Sequence, residues 1–228
     1  MPRNPHDSRR FRRRLPVVGA LCALAPVLAA LPCASASAAT DTTQFSVTAG
    51  SLALGTAPDV PNLPALTLNG QAQTLNAQMN NYSVSDGSGS GSGWNVTVIG
   101  DSSANHSAVF KVYCPNATCG TDSGPGYVAS GATLPANSLT LSSTGASFTA
   151  LNGTTGTAPT HQCSTPCNVD SASAVKTVSA ASGAGMGTYQ TSGYSATSVA
   201  LTAPTTIKAL QTAEYYRLDL VWSLNSGP

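Results

Sequence analysis

Near the C-terminus Tyr216, Leu218, Leu220, Trp222 and Leu224 recur at every second position, with Arg217, Asp219 and Ser223 between them. Successive side chains of a β-strand point to opposite faces, so this spacing predicts one half-buried strand with an apolar and a polar side. The run breaks at Asn225-Ser226-Gly227-Pro228. Elsewhere no stretch places apolar residues three and four apart over several turns behind a capping residue. Gly, Pro, Ser and Thr interrupt every candidate helix. β-structure is the expectation for the whole folded part.

A second alternating run, Trp94-Asn-Val96-Thr-Val98, puts Trp94, Val96 and Val98 on one side. Tyr82-Ser-Val-Ser-Asp86 alternates as well, and Gly87 to Gly93 connects the two as a Gly/Ser repeat. This unit reads as a β-hairpin with a flexible loop; an interdomain linker is the other reading of the repeat. Further strand candidates are Gln44 to Thr48, Leu66 to Leu68, Val109 to Tyr113, Leu139 to Leu141, Ala174 to Val178 and Val199 to Leu201. Many short strands between turn signals predict an all-β fold, an antiparallel β-sandwich or barrel-like domain with long Gly/Ser/Thr-rich loops. The stretch from Cys114 to Gly193 is the least regular, and is expected to carry decorated loops.

The beginning of the chain has a different character. Arg3, Arg9, Arg10, Arg12, Arg13 and Arg14 precede an apolar run from Leu15 to Leu31, interrupted by Pro16 and Pro26. A basic start, an apolar middle and small residues at Ala36-Ser37-Ala38 have the layout of a secretory signal peptide. Residues 1–38 are therefore expected to be a leader, with a single β domain over 39–228. The apolar run is too short and too broken for a stable membrane span. Without the leader, Lys111, Lys176, Lys208 and Arg217 stand against seven Asp and Glu214, a net charge of −4. Such a chain offers no basic footprint for nucleic acid or anionic lipid.

Four cysteines remain after the leader: Cys114, Cys119, Cys163 and Cys167. An even number in an exported chain predicts disulfides. The close spacings favour two local clips, and a crossed pairing would tie the two loops together. A zinc site with His161 beside Cys163 is the rival chemistry, but in an oxidising compartment these spacings count only as near misses, and no metal or cofactor is expected.

Two segments share a form: Trp94-Asn95-Val96 after the Gly-rich stretch, and Trp222-Ser223-Leu224 close to the end. With the leader in front of them, they resemble the WxL-domain family of Gram-positive surface proteins, over about Thr43 to Pro228. The first segment has Val96 where the literal tripeptide would have Leu. The resemblance implies a secreted, cell-surface protein bound non-covalently to the cell wall through peptidoglycan. No sorting motif or apolar anchor follows Pro228, so covalent or membrane anchoring at that end is not expected.

A Trp on the apolar face of a strand usually belongs to the core. Trp94 and Trp222 are accordingly expected to be mainly structural, with glycan contacts made elsewhere. Sugar recognition often stacks an aromatic ring on a sugar face, which makes Tyr113, Tyr127, Tyr189, Tyr194 and Tyr215 alternative contacts. Enzyme readings find little support. His106 and His161 sit in no nucleophile or metalloprotease motif. Glu214 and Asp219 are five residues apart, and strand alternation would send them to opposite faces rather than across one cleft. Non-catalytic wall binding is the expectation; a structural or adhesive subunit that binds another surface protein is the alternative.

Overall fold

The computed structural model describes residues 42–228; the expected leader lies outside the described residues. With strands numbered in chain order, β4 (Trp94–Gly100) shows why the core forms where it does. Its burial alternates without a break: Trp94, Val96, Val98 and Gly100 are buried, while Asn95, Thr97 and Ile99 are half-buried. Fully burying a Val side chain contributes roughly 1.5–3 kcal/mol, so the apolar side of this strand commits it to an interior position.

Three four-stranded sheets surround that core. The first orders β1 (Leu52–Thr56), β3 (Ser83–Asp86), β14 (Gly187–Ser192) and β10 (Ser147–Leu151). The second orders β11 (Thr160–His161), β13 (Val175–Ala180), β4 and β17 (Leu220–Ser226). The third orders β12 (Cys167–Asn168), β9 (Leu139–Leu141), β15 (Val199–Ala203) and β2 (Gln73–Ala77). A smaller sheet joins β16 (Tyr215–Arg217), β5 (Lys111–Cys114) and β8 (Gly126–Tyr127), and β6 (Thr118–Cys119) pairs with β7 (Asp122–Ser123). Every strand pair is antiparallel. Among the described residues there is no helix. The architecture is all-β and sandwich-like rather than a closed barrel, and Ser46–Pro228 packs as one unit.

One cluster draws on all three large sheets: Val84 from the first, Trp94, Val96, Val98 and Val178 from the second, and Leu139, Leu141, Val199 and Leu201 from the third. A satellite cluster of Val112, Cys114, Cys119 and Val128 underlies the smaller sheet. Disulfides close the two cysteine loops locally, Cys114–Cys119 and Cys163–Cys167.

Several expected elements take another form. The segments Tyr82–Asp86 and Trp94–Val98 do not pair as a hairpin: β3 lies between β1 and β14, whereas β4 lies between β13 and β17. The Gly/Ser repeat is a loop that crosses from one sheet to another inside one packed unit, and is not an interdomain linker. Ser88, Ser90 and Ser92 form a chain of hydroxyl hydrogen bonds that begins at Asp86 Oδ1 and ends at Ser226. Gly93 has φ 77°, and a Cβ there would run into the Ala180 carbonyl, so only glycine fits this corner.

The C-terminal alternation belongs to two strands and not one. At Leu218–Asp219 the chain leaves the ladder with β5 and enters the ladder with β4. The Asp219 N–H donates to the Ser107 carbonyl, and the Asp219 carbonyl accepts from Asp101 N–H. All five apolar side chains still pack against the same core. Periodicity reports the face a residue takes and is silent on its hydrogen-bonding partner.

Leu66 to Leu68 is not a strand either. Pro58, Pro61 and Pro64 recur every third residue, and Val60, Leu63 and Leu66 between them are half-buried. A period of three suits an extended polyproline-type strap, and prolines cannot donate to a ladder. Gln44 to Thr48 also lies outside any strand. Conversely, β1, β2, β10 and β14 escaped the sequence reading. The last two, with β9 and β13, place regular sheet inside the stretch from Cys114 to Gly193. Strand β14 was hidden because polar residues hold inner positions: Thr191 is buried, accepts the Tyr82 N–H and donates to the Tyr82 carbonyl.

Candidate functional site

The two Trp segments lie side by side. Strands β4 and β17 pair along their whole length, with Val96 opposite Leu224 and Val98 opposite Trp222. The first segment's third residue therefore meets the second segment's third residue, and both face the core. Trp94 is 0% exposed, and its indole N–H donates to the Gly185 carbonyl at 3.0 Å. Gly185 has φ 73°, and a Cβ there would strike the indole, so this close approach needs glycine. Trp222 is only half-buried. Its ring sits 6.3 Å from that of Tyr82, tilted by 45°, and borders a groove. Ser223, between Trp222 and Leu224, faces outward opposite Thr97.

Among the five tyrosines raised as glycan contacts, the structure separates two from three. Tyr189 and Tyr194 are buried, at 2% and 4% exposure, and do not present a surface. Tyr113, Tyr127 and Tyr215 come together on the smaller sheet, where Tyr113 lies directly opposite both of the others. Directly opposed residues share a face of the sheet. The Tyr113 ring is 5.5 Å from Tyr215 at 31° and 5.1 Å from Tyr127 edge-on. Arg217 places its guanidinium 4.6 Å from the centre of the Tyr113 ring. Tyr215 is 43% exposed. The opposite face, carrying Val112, rests on the satellite core, so the aromatic face is a shelf held from below.

Charged groups at the edge of this shelf are mutually engaged. Asp219 Oδ1 accepts from Arg217 Nε at 2.9 Å and from Arg217 Nη2 at 2.7 Å. Its Oδ2 accepts from the Tyr127 hydroxyl at 2.6 Å, and His106 Nδ1 lies 3.3 Å from Asp219 and 3.3 Å from Asp101. Burial pushes the Asp219 carboxyl up, but the Tyr127 hydroxyl and the Arg217 guanidinium outweigh it and hold the group below the usual carboxylate range. Burial and the bond to Asp219 raise the Tyr127 phenol. Asp219 is thus held in its ionised form by Tyr127 and Arg217.

A groove of about 1560 Å³ runs beside the shelf to Trp222, lined by the Pro58–Leu68 strap and by Phe110, Leu134, Ile207 and Leu220 among others. Glu214 and Asp219 both border it, so strand alternation misplaced them. Glu214 precedes β16 in a turn, where its Oε2 accepts the Gln211 N–H. His161 is remote from these groups, stacked on Phe148 with ring centres 4.3 Å apart. Both cysteines near it are spent in the Cys163–Cys167 disulfide.

Sequence reasoning missed Arg217 and Asp219 as parts of one cluster with Tyr127. The available signal was weak: an Arg and an Asp two apart on a polar strand face, with the tyrosine 92 residues away.

No curated protein and no solved structure matches the chain. The family model described as "WxL domain surface cell wall-binding" matches residues 40–228. That span takes in both paired Trp strands, the tyrosine shelf and the groove, and the chain belongs to the WxL family of surface cell-wall-binding domains.

Proposed function

We propose that this protein is secreted and is held at the wall by non-covalent, non-catalytic binding to peptidoglycan, with the tyrosine shelf as its glycan contact. The observation that carries the reading is the row Tyr215–Tyr113–Tyr127 on one sheet face, Tyr215 exposed and the other two half-buried, with Arg217 stacked beside it. Flat rings take up sugar faces without ordering long side chains, since a tyrosine has few torsions to lose. The neighbouring hydroxyl, guanidinium and carboxylate supply directional hydrogen bonds for sugar hydroxyls. Both carboxylate oxygens of Asp219 are engaged, by Arg217 and by Tyr127, which supports recognition without hydrolysis. In this reading the Trp strands are a signature of the fold that builds the shelf's support.

Co-sedimentation of the purified protein with isolated peptidoglycan sacculi tests the proposal. Binding at micromolar protein without release of soluble wall fragments is the expected result. A protein that stays in the supernatant refutes wall binding; liberated fragments refute the non-catalytic part.

A further inference from the structure

The strand that carries Trp222 is the edge of its sheet: among the described residues the order β11-β13-β4-β17 leaves β17 paired on one side only. Natural proteins blunt exposed edges with charge, proline, bulges or short strands. None of these is present. Leu-Val-Trp-Ser-Leu-Asn-Ser is seven residues long, uncharged and free of proline, and its register against β4 runs without a shift. Trp222 and Leu220 stand on its inner side at the groove, and Val221 is 41% exposed on the outer side.

Elsewhere the chain holds a segment of matching character. Gln44-Phe45-Ser46-Val47-Thr48 alternates as a strand does and carries no charge, yet belongs to no sheet. Phe45 and Val47 are 90% and 82% exposed, the two most exposed large hydrophobic side chains among the described residues. Five extended residues span about 17 Å, within the roughly 23 Å of a seven-residue edge. Among the described residues this segment pairs with no strand, and β17 has no second partner.

We propose that residues 44–48 of one molecule add as a strand along β17 of a second copy, with Phe45 and Val47 entering the groove beside Trp222. Main-chain hydrogen bonds would supply the affinity and the two side chains the register, as in other strand-addition contacts. The contact joins different surfaces of the two molecules, so it either propagates head to tail or closes where two copies exchange their segments reciprocally. Wall binding through the tyrosine shelf does not depend on it, because the shelf lies on a different sheet.

Sedimentation velocity over a hundredfold range of protein concentration, with hydrogen exchange on the same samples, tests this. The expected result is association to a dimer or beyond as concentration rises, with amide protection rising together in residues 44–48 and in β17. The double variant Phe45→Asp/Val47→Asp alters only exposed side chains and is expected to remain a monomer with unchanged near-ultraviolet circular dichroism. Val221→Lys, which puts a charge on the edge, is expected to weaken association at least tenfold. A monomer at every concentration overturns the proposal, as does association that survives the double variant. Protection of both segments in a concentration-independent monomer overturns it too, since the chain would then be filling its own edge.

Discussion

Trp94 and Trp222 occupy neighbouring strands and face one core, but their surroundings differ. Strand β4 has hydrogen-bonded partners on both sides, and Trp94 is sealed, with its N–H satisfied by Gly185. Strand β17 has one partner among the described residues, and Trp222 is half-covered, resting on Tyr82 and open to the groove. The same residue in the same kind of motif thus has two physical roles. One anchors the fold, and the other forms the boundary between core and surface. The lesson is that a repeated motif marks a shared ladder, while the position of each strand in the sheet decides what its Trp can do.

The largest test of this contrast is Trp94→Ala. Removing a sealed aromatic costs about 3–5 kcal/mol through lost burial and a residual cavity, and the Gly185 carbonyl loses its donor. Urea denaturation is expected to show a loss of that size or outright failure to fold. Trp222→Ala is expected to cost less, about 1–3 kcal/mol, because solvent already reaches the ring and water can fill the space. Equal losses from the two substitutions would break the comparison.

Asp219→Asn examines the outer cluster, and about 1–3 kcal/mol is expected at neutral pH from weakening bonds to a charged acceptor. The folded state holds this carboxyl below its ordinary value, so its stabilisation is present above the unfolded value near 4 and is lost as pH falls through the lower folded value. The gap between wild type and variant is therefore expected to close in strongly acidic solution, measured by denaturation at pH 7 and near pH 3. A gap independent of pH would mean that the charge of Asp219 contributes nothing. Tyr215→Ala sharpens the comparison from the surface side. Its stability change is expected within about 0.5 kcal/mol, while sedimentation with sacculi is expected to fall at least tenfold. Undiminished sedimentation would remove the shelf as the contact.

Much of the all-β character could be read directly from alternation, because the period of two is set by backbone geometry alone. The inner faces of β4 and β17 are both where the pattern puts them. Reading failed where side chains broke the simple rule. Thr191 serves the core as a hydrogen-bonded polar residue, so β14 looked like a loop. Prolines at every third position gave Val60, Leu63 and Leu66 a different period. As for the candidate site, tyrosines could be named as contacts from chemistry, but nothing local distinguishes the buried Tyr189 from the exposed Tyr215.

What the amino-acid order determined by itself is the face each residue takes: the inward row of Trp94, Val96 and Val98, the inward row from Tyr216 to Leu224, and the polar residues between them. Tertiary structure alone decided which rows meet. It separated β3 from β4 despite their short connection, joined β4 to β17 across most of the chain, and split one alternating run between two sheets. It also gathered Tyr113, Tyr127 and Tyr215 beside Arg217 and Asp219. The physical reason is that alternation is a local property of the extended backbone, whereas pairing is settled by the burial and hydrogen bonding of all strands at once.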